Sequence, residues 1–507
     1  MDYSYPIRVA ANKYPGRIAV IYRDQAITYA ELDGNIDKLA NSLLRLGLAG
    51  TRVASILLNE PITLYLYMAL ARIGALNIPI NVRLTAEEKE YVIRDSGATT
   101  LVADGQFLAE TMQLRGRVAE LQQIIAVHRN DTTDATLLTM DELLESGSPE
   151  IALSNVGEDS VATIMYTSGT TGFPKGVMRT HRANLWNAVN SALGSPRLPR
   201  DIELFNLPIF GIGFLHFAMP VLLAGATLIL DRVFQAERVW RLIEERRVTR
   251  TFLAPTMIDS MLLQPDQEQY DTSSLEIIYT AYEFPERLRT RAIERFGDRF
   301  VYMYGLTEAQ LTCAQLGEFA RKPTSVGKPM GLMRIQIVNE QGQLVPAGQI
   351  GEIALEGPST MSGYYKLPDA TNAALKDGWV LTGDLGYLDT EHDLHYTGRK
   401  KEIIKTGGFS VDPVEVENVI LSLPAVREVA VIGVPDEHWG EMVVAYVVQS
   451  PGAEVTEAEL VAFCKNRIAD FKIPKKVVFI AELPKNPTGK VERGRLRQLW
   501  QRLVARD

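Results

Sequence analysis

The sequence is short of cysteine. Only Cys313 and Cys464 occur in 507 residues, far apart and without the paired spacing of a metal site. That argues against a disulfide scaffold and fits a reducing cytosol. An excess of positive charge is also missing. The formal net charge is -9, so the basic footprint of a nucleic-acid binder is absent. The first residues, Met1-Asp2-Tyr3-Ser4-Tyr5-Pro6, hold no basic region leading into an apolar core, and no signal peptide is expected. A clean spanning run is lacking too. The most apolar stretch, 211–230, contains His216, Pro220 and three glycines and closes on Asp231-Arg232. A spanning helix needs about 20 mostly apolar residues, so a buried helix followed by a strand at 226–230 is expected here. No fixed-period repeat and no Walker G-x-x-x-x-G-K-[ST] pattern is present.

What is present is organised around Tyr166-Thr167-Ser168-Gly169-Thr170-Thr171-Gly172-Phe173-Pro174-Lys175-Gly176. The apolar run 161–166 reads as a buried strand. It feeds four hydroxyl residues, three glycines and a lysine. Glycines let the backbone turn tightly against a ligand, and the freed N–H groups and hydroxyls then point at phosphate oxygens. Lys175 adds a compact positive charge. Such a loop suits a polyphosphate.

At 507 residues the chain is too long for one core and should divide. Thr28 and Glu31 form a capping-box pattern ahead of a helix whose apolar positions run to Leu46, with Gly47 ending it. Strands are expected at 53–58, 75–80, 100–102 and 124–127, with a helix over 62–73. That alternation signals parallel sheets wrapped by helices. Thr180 is expected to cap a helix from His181 to about Leu193. Strands at 276–279 and 300–303 lead into Thr280-Ala281-Tyr282 and Tyr304-Gly305-Leu306-Thr307-Glu308, and ligands of open α/β sheets bind beyond carboxyl ends of strands. From Gly327 short β patterns dominate, at 334–338, 351–355 and 380–382. Beyond Lys401 a compact α+β segment follows. The expected fold is α/β. Residues 1–399 form a large N-terminal domain of parallel-type sheets with a small β-rich subdomain near 327–397, and residues 400–507 form a small α+β C-terminal domain.

Several stretches stand in one order: 166–176, Tyr304-Gly-Leu-Thr-Glu308, Thr382-Gly-Asp-Leu385, Gly398-Arg399 and Pro487-Thr-Gly-Lys490. Together they resemble the adenylate-forming superfamily of acyl-CoA synthetases, peptide-synthetase adenylation domains and luciferases, over nearly the whole chain. The resemblance implies two half-reactions. A carboxylate attacks the α-phosphate of magnesium-bound ATP, and a thiol then displaces AMP. It implies Lys490 bridging the carboxylate and α-phosphate, Thr307 on the α-phosphate and Glu308 as the Mg²⁺ ligand. Thr167, Ser168, Gly169, Thr170, Thr171 and Lys175 would take the β- and γ-phosphates. Asp384 would accept from the ribose hydroxyls with Arg399 as its basic companion, and Tyr304 would sit with the nucleotide. Lys401 falls at the family's hinge, making the C-terminal domain mobile. Gly408 would leave room for the pantetheine arm of coenzyme A, against which a plain hairpin turn at Gly407-Gly408 has to be weighed.

Two departures bear on the acid. Phe210-Gly211 stands where many members carry an aromatic–histidine pair and amino-acid-activating members an aspartate. Gly211 offers no partner for a substrate ammonium, and a buried unpaired ammonium is costly. α-Amino acids are therefore disfavoured, and the pocket is enlarged. His216 is expected in the core or facing solvent rather than replacing the missing histidine. Tyr282 is a candidate to stack on adenine, and Glu283 is expected to face water. The leading expectation is an acid–CoA ligase for an apolar or weakly polar acid. Its rivals are a ligase that loads a carrier-protein thiol or stops at the adenylate, a luciferase-like oxygenase, and a non-catalytic nucleotide-binding protein. Neither nucleic acid nor a membrane span is expected as partner, and the oligomeric state stays open, a homodimer included.

Overall fold

Capping residues and glycines punctuate the chain and set where its elements begin and end. Thr28 takes the N-cap of helix Tyr29–Arg45 and exchanges hydrogen bonds with Glu31, a complete capping box. Gly74, at φ 68°, closes helix Pro61–Ile73 in the left-handed conformation. Thr180 caps His181–Gly194 by accepting from the Ala183 amide. The computed structural model describes all residues except 130–133, 135–136, 151–155, 168–173, 283, 437, 466, 486–489 and 505–507.

Among the described residues the strands form three sheets, the first of 14 strands. In it Ile18–Tyr22, Thr227–Leu230, Ile202–Phe205, Arg250–Phe252, Ile277–Ala281 and Phe300–Leu306 lie side by side and parallel. Beyond Phe300–Leu306 the pairing turns antiparallel through Gln310–Leu316, Ser325–Pro329, Leu394–Arg399, Trp379–Leu388, Gly351–Glu356 and Arg334–Val338. The β-rich stretch is thus hydrogen-bonded onto the large sheet as its extension. The strand expected at 380–382 grows to Trp379–Leu388, so Thr382-Gly383-Asp384-Leu385 lies inside a strand.

The second sheet has eight strands. Gly363–Tyr364, Lys175–Thr180 and Val161–Thr167 pair antiparallel. Leu76–Pro79, Arg52–Ile56, Thr100–Ala103, Gln123–Ala126 and Leu138–Thr139 continue it in parallel. Parallel strands are covered on both faces, and Thr100–Ala103 is buried at every position. The third sheet holds Phe409–Val411, Ile404–Thr406, Gly440–Gln449 and Val426–Asp436, with Lys476–Phe479 parallel beside Gly440–Gln449. Period-two alternation divides its side chains between two cores: Val429, Val431, Val443 and Ala445 on one face, Ala430, Ile432, Val444 and Tyr446 on the other. The apolar stretch 211–230 becomes a π-helical turn Phe214–Ala218, helix Met219–Ala224 and strand Thr227–Leu230. Among the described residues no helix is long and apolar enough to cross a membrane.

The hairpin of Val161–Thr167 and Lys175–Thr180 sets Tyr166 opposite Gly176. A Cβ on Gly176 would lie 2.8 Å from Ile164 Cγ2 and 3.1 Å from Tyr166 Cζ. The Tyr166 ring is tethered, because its hydroxyl donates to Asp95 at 2.6 Å. Gly176→Ala is therefore expected to lower stability by about 1–3 kcal/mol, measured as the shift in urea midpoint. An unchanged midpoint would show that the ring yields without strain.

Candidate active site

Strand pairing builds the first half of the site. Asp384 and Arg399 are direct partners on antiparallel neighbours, and Arg399 Nε lies 2.9 Å from Asp384 Oδ1. From the adjoining region of the same sheet the Tyr304 hydroxyl donates to Asp384 Oδ2 at 2.8 Å. The Tyr304 ring stacks on Tyr396 at 5.8 Å. Burial pushes the Asp384 carboxyl upward, while Arg399, the Tyr304 hydrogen bond and the field of Lys490 oppose it; the net shift is up. Burial works against the Arg399 charge, but Asp384, Tyr396 and Glu402 outweigh it and hold the guanidinium protonated. Burial and Asp384 push the Tyr304 phenol up, so it remains a donor. The Asp384–Arg399 contact is an ion pair without hydrogen-bond alignment. Asp384 Oδ1 therefore keeps its capacity to accept hydrogen bonds.

The second half is the turn after Phe300–Leu306, which carries Thr307 and Glu308. Arg179, fully buried in strand Lys175–Thr180, pins it. Its Nη1 donates to the Thr307 carbonyl at 2.9 Å, its Nε to Asn184 Oδ1 at 2.9 Å. Burial lowers the Arg179 pKa to about 10, and Glu308 works the other way. Tyr364, opposite Val177 in the second sheet, donates its hydroxyl to Glu308 Oε1 at 2.9 Å. Lys175 Nζ stands 5.2 Å from the centroid of the same ring, and Lys175 faces Thr167 across the hairpin. Lys175 and Glu308 thus meet at Tyr364, with Thr167 opposite Lys175. Ser168, Gly169, Thr170 and Thr171 lie outside the described residues. Sequence reasoning missed Arg179 and Tyr364. A lone arginine after Gly-Val-Met and a tyrosine in Ser-Gly-Tyr-Tyr carry no mark of their neighbours.

Tyr282 follows strand Ile277–Ala281 with φ 75°, a left-handed conformation that a tyrosine rarely adopts. Its carbonyl accepts from the Tyr302 hydroxyl at 2.7 Å, and the residue is 38% exposed. Glu283 lies outside the described residues. Gly211 is half-buried, and a Cβ there would meet only the Pro208 carbonyl at 3.5 Å, so the position has room. His216 is wholly buried.

Lys490 comes from the third sheet's body. Burial and then Arg399 lower its pKa, with Glu402 and Asp384 pulling the other way; the ammonium shares the electrostatic surroundings of the Asp384–Arg399 pair. Three residues on, Arg493 donates to Glu402 at 3.3 Å and to both Glu417 oxygens at 2.7 Å. Lys401 sits exposed in the turn between Leu394–Arg399 and Ile404–Thr406. Gly407 and Gly408, at φ 54° and 83°, form the two-residue turn of the hairpin Ile404–Thr406/Phe409–Val411. A Cβ on Gly408 would meet nothing. The backbone conformation, rather than crowding, calls for glycine there.

Residues 7–365 match the AMP-binding enzyme family, and residues 415–490 match the AMP-binding enzyme C-terminal domain. The indoleacetate–CoA ligase of Aromatoleum aromaticum is 37% identical over 508 residues, covering 99% of both chains. A feruloyl-CoA synthase from an Amycolatopsis species is 35% identical over 500 residues, covering 98% of both. The structure of o-succinylbenzoate CoA synthetase from Bacillus subtilis in complex with the acyl-adenylate intermediate superposes with a TM-score of 0.86, at 32% identity over 97% of each chain. With both family models matched and relatives aligned over nearly the whole length, this chain belongs to the AMP-binding enzyme family, as an acid–CoA ligase of the adenylate-forming superfamily.

Proposed function

We propose that this site couples ATP to an apolar or weakly polar carboxylic acid, not an α-amino acid. A carboxylate oxygen attacks the α-phosphorus and the bond to pyrophosphate breaks. The thiolate of coenzyme A then attacks the acyl carbon and AMP leaves. The observation that carries this reading is the Tyr304–Asp384–Arg399 cluster with Lys490 in its field, only four residues along the chain from the Glu308 turn.

In this reading Asp384 accepts from the ribose hydroxyls, held in aim by Tyr304 and Arg399. The exposed Tyr282 ring covers the adenine. Thr307 donates to the α-phosphate, while Thr167, Ser168, Gly169, Thr170, Thr171 and Lys175 hold the β- and γ-phosphates. Lys490 draws the carboxylate and α-phosphate together and stabilises the charge that develops between them. Among the described residues no three or more His, Cys, Asp or Glu side chains cluster as metal ligands. A single carboxylate such as Glu308 nevertheless fits Mg²⁺, which keeps several waters and takes one or two carboxylates plus substrate phosphates. Bound there, the ion would neutralise phosphate charge. Gly211 leaves an ammonium without a partner, which disfavours amino acids.

The chain divides in this reading at the Lys401 turn, residues 1–399 forming the body with the β-rich part at 327–397, and 400–507 turning as a unit. Exposed polar contacts support that mobility. Arg427 reaches Asp259 at 3.1 Å and Arg287 donates to the Pro424 carbonyl at 3.3 Å. Such contacts are each worth about 0–1 kcal/mol, little resistance to rotation. The exposed Gly408 turn would serve the thiol step.

A panel of carboxylic acids assayed for AMP release with and without coenzyme A tests the reading; turnover that halts at the adenylate in the presence of coenzyme A contradicts it. Lys490→Ala is expected to slow pyrophosphate formation by about 100–1,000-fold while largely sparing thioester formation from supplied acyl-adenylate, and equal loss of both refutes the assignment. Deprotonation removes the bridging charge, and the Lys490 pKa is lowered from the ordinary 10.5. Pyrophosphate formation should therefore fall on an alkaline limb centred below that value, a limb that Lys490→Arg moves upward. Lys401→Pro is expected to slow the coenzyme A step more than adenylation, with a proportional effect on both ruling out the hinge.

A further inference from the structure

Helix His181–Gly194 presents Asn187 and Ser191, one turn apart, to the π-helical turn Phe214–Ala218. Asn187 Oδ1 lies 3.2 Å from His216 Nδ1, and the Ser191 hydroxyl donates to the His216 carbonyl at 2.8 Å. Asn187 and His216 are both 0% exposed. The remaining polar atom of each side chain, Asn187 Nδ2 and His216 Nε2, has no hydrogen-bond partner among the described residues. An unsatisfied buried polar group costs about 1–3 kcal/mol, and packing alone gives no reason to keep two in adjoining side chains. The π-turn is a second sign, since such turns recur at functional sites.

A relay of neighbouring residues leads from the pair toward the reaction site proposed above, on which the inference rests. The His216 ring is 4.9 Å from Phe217, and Phe217 is 5.2 Å from Tyr279. Two residues past Tyr279, Ala281 stands opposite Met303, the neighbour of Tyr304. On the chain side, Gly211 leaves space five residues before His216. The electrostatics are neutral. Burial, reinforced by Arg197, keeps His216 uncharged. Arg197 is matched by Glu203 at 3.1 Å, and Arg250 by Asp201 at 3.0 Å. With Nδ1–H donating to Asn187, His216 Nε2 accepts and Asn187 Nδ2 donates. Flipping the amide and exchanging the tautomer swaps the roles but leaves one donor and one acceptor.

A hydroxyl group both donates and accepts, so a single one satisfies both nitrogens. We propose that Asn187 and His216 form a specificity subsite for a neutral hydroxyl at the far end of the substrate acid. The acid is then a hydroxylated carboxylic acid rather than a plain hydrocarbon or a dicarboxylic one, because no unmatched cation waits there for a second carboxylate.

The test is kcat/KM for coenzyme A-dependent AMP release with matched acids that differ only in a distal hydroxyl, a series of such pairs varying chain length and ring position. The wild-type protein is expected to favour the hydroxylated member of its best pair by about tenfold or more. His216→Leu and Asn187→Leu are each expected to bring the ratio near one, and His216→Gln, which keeps a donor and an acceptor, to retain part of it. A wild-type ratio near one in every pair overturns the subsite, as does a preference that survives both leucine variants or a dicarboxylic acid outrunning every hydroxy acid. A buried water between the two nitrogens, with no substrate preference, would give the first of these. Turnover of plain acids in that case leaves the ligase reading standing, whereas no turnover of any acid removes both. The wild-type ratio decides the matter even where a variant fails to fold.

Discussion

The buried contact between Asp384 and Arg399 is the constraint around which the rest is arranged. Removing a carboxylate from water is costly, and the Coulombic attraction repays it only where geometry is good and further hydrogen bonds are made. Here the antiparallel register supplies the counter-charge and Tyr304 supplies the hydrogen bond. A pair of this kind is weak evidence for stability, and hydrophobic residues would fill the same strands at least as well. What it fixes is direction. Two consecutive strands and a third some way up the chain hold one acceptor in one place, and the sheet had to continue from its parallel part into the antiparallel extension for them to meet.

The same pair draws in the third sheet. Lys490 feels Arg399 as a repulsive neighbour and Asp384 and Glu402 as attractive ones. Glu402 follows directly on the Lys401 turn and is bound by Arg493, which also grips the buried Glu417. The turn at Lys401 and the segment carrying Lys490 are therefore tied to one another by charged side chains, whereas among the described residues the polar contacts of this body with the helices beside the large sheet, Arg427–Asp259 and Arg287–Pro424, are exposed. In the proposed reading, such internal ties let this unit turn as a whole about the Lys401 turn.

Much of this was legible in the sequence because the signals were local. Thr28 with Glu31, Gly74 and Thr180 each mark an element end by a preference that a single residue can carry. The order of the motif stretches gave the family, and the Gly211 departure pointed to the acid. What stayed hidden depends on register. Nothing in Thr-Gly-Asp-Leu says that it lies within a strand facing Arg399. Nor can composition show that Tyr364 bridges Lys175 and Glu308, since two come from paired strands of the second sheet and the third from a turn of the first, brought together in a way that the chain order does not dictate. Arg179 is the clearest case. An arginine is expected at the surface, and only the folded chain reveals that it is spent on the Thr307 carbonyl.

A site for a polyphosphate must be rich in cations, yet the protein has to fold before the nucleotide arrives. Bare cations held close together would repel one another and resist burial. The described residues meet this by giving each a local counterweight. Arg399 has Asp384, Lys175 has the face of Tyr364, Arg179 has carbonyls and the field of Glu308, and Lys490 is drawn toward Glu402. A ring face is a weaker holder than a carboxylate, so in the proposed reading Lys175 is the readiest to reach for phosphate, while Arg399 stays fixed beside Asp384. Such grading of counterweights separates the groups that must move toward a substrate from those that must stay still, and it follows from which partner the fold sets beside each charge.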